Sequence, residues 1–115
     1  MADSLSLKDY QDRVDQWIKK YGIRYFDEKT NMILLVEEVG ELSRLIARTY
    51  GEQSFKKEPV DVEKRISEEI GDILFVLTCL TNQMNLNWDE IIAQNFAKKT
   101  DRDHERHFKN PKLRE

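Results

Sequence analysis

One cysteine, two prolines and four glycines are all that 115 residues hold of the types that staple, kink or turn a chain. The lone Cys79 excludes an intrachain disulfide and any multi-thiolate metal site. Scarce glycine and proline, together with 36% charged residues and a mean hydropathy of −0.72, favour long charged helices over a turn-rich all-β fold. Long apolar runs are missing too, since a stretch such as Ile73 to Leu77 falls far short of the ~20 residues of a membrane helix. The opening Met1-Ala2-Asp3-Ser4 shows no basic region followed by an apolar one, so a cytoplasmic location is expected. Nor is there an excess of positive charge: 19 Lys and Arg against 22 Asp and Glu leave a net −3. With a pI near 5.5, this balance argues against a protein that coats nucleic acid. What is present is 39% hydrophobic residues, enough for a core, which argues against disorder and predicts one soluble domain.

Helical periodicity divides the chain into four segments. After the candidate cap Ser6, residues Leu7, Tyr10, Val14, Trp17, Ile18 and Tyr21 predict a first helix over 7–21, stopped by Gly22. Residues 23–30 read as a connection with aromatic anchors, and a second helix is expected from Asn31 to Tyr50, where Gly51 ends it. A polar connection from Glu52 to Val60 contains Pro59. Asp61 then caps a third helix, which runs to Met84 through Ile66, Ile70, Ile73, Leu74, Leu77 and Leu80. Asn87, with Glu90 three residues on, opens a fourth helix expected to reach Thr100. Residues 101–115 are highly charged and read as an extension or frayed tail. Nothing alternates with period two, so the fold class is all-α, a bundle of four helices. The third helix is apolar almost all round at Ile73-Leu74-Phe75-Val76-Leu77. Either a homodimer sharing a core of second and third helices covers it, or it is central in a compact monomer.

The unusual chemistry lies in two near copies 31 residues apart, Glu37-Glu38-Val39-Gly40-Glu41-Leu42 and Glu68-Glu69-Ile70-Gly71-Asp72-Ile73. At ~100° per residue, Glu38 and Glu41 lie ~60° apart on a helix, and Glu69 and Asp72 repeat that relation. Most helical glutamates belong to solvated faces, where an acid is commonly followed by a base four residues on. Here Glu37 is followed by Glu41, Glu38 by Leu42, Glu68 by Asp72 and Glu69 by Ile73. Glycine in a helix interior costs ~1 kcal/mol relative to alanine, yet it occurs at the same place in both copies. Missing side chains at Gly40 and Gly71 would let the two helices cross closely and bring Glu38, Glu41, Glu69 and Asp72 together. Half-buried carboxylates at such a crossing need protons or a cation. The ligands are hard oxygens with no adjacent histidine or cysteine, which suits Mg²⁺ or Mn²⁺ and not Zn²⁺. The Glu-x-x-His of di-iron bundles and an EF-hand loop are both missing.

Glu-Glu-x-x-Glu followed by Glu-x-x-Asp, with 27 residues between Glu41 and Glu69, resembles the signature of the MazG-like all-α nucleoside triphosphate pyrophosphohydrolases. The resemblance extends over residues 7–105 and includes the downstream element Asn95-x-x-Lys98-x-x-x-Arg102. It implies a helical bundle that dimerises or forms dimers of dimers, with a domain over residues 1–105 and a polar tail over 106–115. It further implies Mg²⁺-dependent cleavage of a nucleoside triphosphate to the monophosphate and pyrophosphate, with Mn²⁺ able to substitute, in a house-cleaning role toward non-standard or surplus nucleotides. Carried over by position, Glu38, Glu41, Glu69 and Asp72 would hold metal. Glu37 would hold a second metal or take a proton from the attacking water, Glu38 would share in catalysis, and Asn95, Lys98 and Arg102 would grip phosphate oxygens. Nucleic acid and membranes are not expected partners.

A non-catalytic helical dimer that binds a nucleotide or a protein is the alternative of another class, and phosphoribosyl-ATP pyrophosphohydrolase is an alternative within the enzymes. Among the remaining residues, Cys79 reads as core. His104 and His107 read as solvated. Trp17, Tyr21, Tyr25 and Phe26 read as core aromatics or a base-stacking platform. Lys56 and Lys57 either reach a phosphate or keep the loop solvated.

Overall fold

In a computed structural model, residues 4–57 and 61–114 are described. Among them there is no strand. Four α-helices follow in order: α1 (Leu7–Trp17), α2 (Glu28–Tyr50), α3 (Val62–Gln83) and α4 (Trp88–Phe108). Three of the predicted caps are in place: Ser6 accepts from the Asp9 amide, Asp61 from Lys64 and Asn87 from Glu90. Glu58, Pro59 and Val60 of the expected polar connection, the opening Met1 to Asp3, and the last residue of the expected tail lie outside the described residues.

Three boundaries differ from expectation. Helix α2 starts a turn earlier than Asn31, because Asp27 caps it by accepting from the Thr30 amide at 2.7 Å. The first helix loosens into a π-helical turn at Ile18–Gly22. It ends in a γ-turn, with the Arg24 amide bonded to the Gly22 carbonyl and Ile23 at φ 71°, a strained position for a β-branched residue. Helix α4 does not stop at Thr100. It runs to Phe108, helped by Asp103, which pairs with Arg102 and Arg106 on its own helix, and a 3₁₀ turn at Pro111–Leu113 follows.

The second and third helices run antiparallel, since Asn31 near the start of α2 hydrogen-bonds Gln83 at the end of α3 at 2.7 Å. Helix α1 lies against α3, where Val14, Ile18 and Cys79 form a small buried cluster flanked by Tyr10, Tyr25 and Phe75. A polar clasp ties α1 to the α3–α4 corner. The Gln11 amide donates to Thr81 Oγ1, Asn82 Oδ1 and the Leu86 carbonyl, and its oxygen accepts from the Trp88 amide. Helix α4 therefore docks at its first turn, where the Trp88 indole also donates to the fully buried Thr78.

Taken as a single chain, the helices are loosely gathered. A radius of gyration of 18.0 Å far exceeds the ~13 Å of a compact chain of this length. Deeply buried apolar residues amount to Val14, Ile18, Leu45, Cys79 and Leu80, while Met32, Ile33, Val36, Val39 and Ile46 of α2 and Ile70 of α3 stay exposed. The glycine expectation is also corrected. A Cβ built on Gly40 or Gly71 meets nothing within 4 Å, so within the chain neither glycine is needed for a close crossing.

Replacing Gln11 by Leu leaves the Asn82 side-chain oxygen, the Leu86 carbonyl and the Trp88 amide without their Gln11 partner. Urea unfolding should show a loss of about 3 kcal/mol, and a loss within experimental error would show that the clasp is not what holds α4.

Candidate metal centre on the α2–α3 seam

The antiparallel pairing sets Glu38 and Glu41 of α2 opposite Glu69 of α3. One carboxylate oxygen from each lies within 4.8 Å of the others. Oε2 of Glu38 and Oε2 of Glu69 are both closed to solvent and without a hydrogen-bond donor. An anionic oxygen in that state is costly, and it can be satisfied only by a proton held between the carboxyls or by a cation. The response is visible in Glu69, whose carboxyl is pushed from the usual 4.5 to about 8, first by sharing its proton with Glu38, then by burial and by Glu41. Asp72, one turn on, is raised by burial and by the charges of Glu38, Glu68 and Glu41. The four acids named by the motif thus act on one another electrostatically, with Asp72 at the margin of the three that touch.

Two cavities lie along the helix pair, and the first shares Glu41 with this centre. Beyond Glu41, a cavity of about 310 Å³ is lined by Arg44, Arg48, Phe55, Lys56, Lys57 and Arg65. On the other side, a cavity of about 290 Å³ lies among Trp17, Tyr25, Phe26, Leu34, Phe75 and Cys79. The donor set between them is all carboxylate, and the orphaned oxygens give a divalent cation a place it fits.

Three comparisons bear on this chemistry. The Bacillus subtilis (strain 168) protein YpjD is 38% identical over 106 residues, 92% of this chain and 93% of that protein. The crystal structure of YpjD from Bacillus subtilis superposes with a TM-score of 0.73 at 39% identity, covering 85% of this chain and 97% of that one. The crystal structure of a Bacillus-conserved MazG protein, a nucleotide pyrophosphohydrolase, gives 0.72 at 32% identity over 90% and 99%. Residues 26–107 match the MazG nucleotide pyrophosphohydrolase domain. The chain belongs to that family. It is a hydrolase of the MazG nucleotide pyrophosphohydrolase type.

In this MazG-family chain the other residues singled out by the sequence are dispersed. Glu37 is exposed on α2, outside the group of three. Asn95, Lys98 and Arg102 are exposed along α4, and among the described residues no hydrogen bond or ion pair joins them to the carboxylates; Arg102 pairs with Asp103. His104 and His107 are exposed, as expected. Cys79 is core, its thiol pushed up to about 11 by burial. Tyr25 is fixed by donating to Asp15 and accepting from Asn82, and Trp17, half exposed, rests edge-on against Phe75. Sequence reading passed over Arg44, Arg48 and Arg65 beside the centre. A signal was available: Arg44 and Arg48 are like charges four apart, the same anomaly as Glu37 and Glu41 with the sign reversed.

Glu69 binds its proton more tightly folded than unfolded. That contribution is therefore fully present below the unfolded value of 4.5 and is lost as pH rises through about 8. The depressed carboxyls Asp15, Asp27 and Asp103 act oppositely, and their contribution is lost only as pH falls below the ordinary carboxylate range. Without divalent metal, the melting temperature should consequently fall between roughly pH 5.5 and 8.5, and Glu69→Gln should flatten that slope. Thermal melts across the range check this; a parent stability that rises through the window would contradict it.

Proposed function

We propose that this protein hydrolyses a nucleoside triphosphate at the α-phosphorus, releasing the monophosphate and pyrophosphate, with Mg²⁺ held by Glu38, Glu41, Glu69 and Asp72. The observation that carries the reading is the pair of orphaned oxygens on Glu38 and Glu69 within a three-carboxylate cluster. When bound there, Mg²⁺ would neutralise triphosphate charge and polarise the reacting phosphoryl group, a role Mn²⁺ can also fill. The chain's own part is to hold the phosphate against the seam and to take a proton. Glu37, exposed on α2 and outside the group of three, would accept the proton of the attacking water. As the water oxygen bonds to the α-phosphorus, the bond from phosphorus to the β-bridging oxygen breaks, and pyrophosphate leaves with that electron pair. Glu38 contributes both to the cluster and to the catalytic group.

Asn95, Lys98 and Arg102 have the chemistry to grip phosphate oxygens but stand clear of the seam in a single chain. We assign them that role in a homodimer or dimer of dimers, where α4 of a second copy reaches the site. Support for assembly is the exposed apolar stripe Met32, Val36, Val39 and Ile46 on α2, continued by Ile70 on α3, in a chain too extended to bury it. No helix among the described residues is long and apolar enough to cross a membrane. The role we assign to the activity is house-cleaning of non-standard or surplus nucleotides, in the cytoplasm.

The test is a panel of canonical and modified nucleoside triphosphates assayed with and without Mg²⁺. Pyrophosphate and monophosphate should appear only with metal, and Glu41→Gln should be inactive. Lys98→Ala and Arg102→Ala should each lower kcat/KM about tenfold or more without changing the melt, because a charge-assisted hydrogen bond contributes ~1.5 to 3 kcal/mol. Nucleoside diphosphate as the first product, or full turnover in EDTA, would sink the reading. A chain that binds nucleotides and hydrolyses none would favour the binding module.

A further inference from the structure

Five cations surround one cavity of about 310 Å³ at the connected end of the α2–α3 hairpin: Arg44 and Arg48 from α2, Lys56 and Lys57 from the connection, and Arg65 from α3. The chain as a whole is acidic, with a net charge of −3. Among the described residues its ion pairs lie elsewhere, at Lys8–Asp12, Lys19–Asp15, Arg102–Asp103, Arg106–Asp103 and Lys109–Glu105. Among the described lining residues Glu41 alone opposes the mutual repulsion of five like charges around this hollow, and a polyanion would relieve the rest. The cavity is also not isolated. Glu41 belongs both to its wall and to the carboxylate cluster, so a ligand can touch both at once.

The opposite end of the seam has the contrary character. There the second cavity is walled by Leu34, Phe75, Val76 and Cys79 with Trp17 and Phe26, and among the described residues Arg24 is the one cation that lines it. Counted along α2 at ~1.5 Å per residue, Leu34 and Arg48 stand ~21 Å apart with Glu38 and Glu41 between them, a span that accommodates an extended nucleoside triphosphate. The seam therefore runs apolar, acidic, basic. We infer that the basic cavity is the subsite for the β- and γ-phosphates, and so for the departing pyrophosphate, with Arg48 and Arg65 as its main binding residues. The substrate then lies in one polarity, nucleoside toward Phe75 and terminal phosphates toward Arg48. Arginine suits the task because its planar fork can meet two phosphate oxygens at once. This inference rests on the pyrophosphohydrolase reading and adds the direction in which the triphosphate lies.

The test is calorimetric titration of the full chain with inorganic pyrophosphate in Mg²⁺ buffer, comparing the parent with Arg48→Gln/Arg65→Gln, Arg48→Lys/Arg65→Lys and a remote control, Lys8→Gln/Lys112→Gln. Binding should weaken roughly tenfold or more in the Gln pair, recover in part in the Lys pair, and stay at parental strength in the control. Thermal melts of each variant identify any that fail to fold, and the Lys pair keeps the comparison alive if the Gln pair does. A parent that binds pyrophosphate no better than orthophosphate, or a folded Gln pair that binds like the parent, overturns the subsite. If such a parent still hydrolyses nucleotides, only the subsite falls. If the parent binds pyrophosphate through these arginines yet hydrolyses nothing, the subsite stands and the pyrophosphohydrolase reading falls.

Discussion

Everything distinctive about this chain follows from carboxylates facing one another across an otherwise apolar helix pair. An acid on a solvated helix face is unremarkable. Two acidic turns on antiparallel neighbours, with Glu38 and Glu69 each holding an oxygen out of reach of water, are an electrostatic debt that the protein alone settles only by keeping a proton on Glu69. A cation would settle it without the proton, which is why the site points to metal chemistry. Such a site is a sink for positive charge, and its neighbours are arranged accordingly, with basic side chains on one flank and aromatic ones on the other.

The rest of the molecule is light on conventional stabilisation. A handful of residues is deeply buried, and α4 is held mainly at its first turn by Gln11 and Trp88. Hydrogen bonds do much of the work that a larger core would do: Gln11 spends every polar atom of its amide, Asn31 pins the start of α2 to the end of α3, and Asn82 of α3 holds the middle of α1. An apolar stripe left open along α2 in so extended a chain is the shape of a half-assembled core, which a second copy would complete.

Much of this was legible from residue pattern. Caps at Ser6, Asp61 and Asn87 declared themselves by residue type, and the paired acidic motifs pointed to the carboxylates of Glu38, Glu41 and Glu69 that the fold brings together, because acid followed by acid at four residues is an anomaly against a strong background. The misses have physical causes. Asp27 was hidden as a cap by the aromatic connection before it, and α4 outran its expected end because Asp103 offsets the basic run around it. A π-helical turn leaves no mark in a periodicity of 3.6. Gly40 and Gly71 were read as a close crossing, but their missing side chains face open space. The basic cavity was legible only in pieces, Lys56 and Lys57 on one hand and the Arg44–Arg48 pair on the other, because only the fold sets them around one hollow with Arg65.

The central claim, that a cation takes over from a shared proton at the Glu38–Glu41–Glu69 cluster, is tested most directly by counting protons as metal binds. Titrations with Mg²⁺ near pH 7 in buffers of different ionisation enthalpy give that count. With the Glu69 carboxyl at about 8 in the metal-free protein, binding should release close to one proton per ion, roughly 0.9, and Glu69→Gln should release none. Saturable Mg²⁺ binding by the parent with no proton released would place the ion elsewhere and contradict the account.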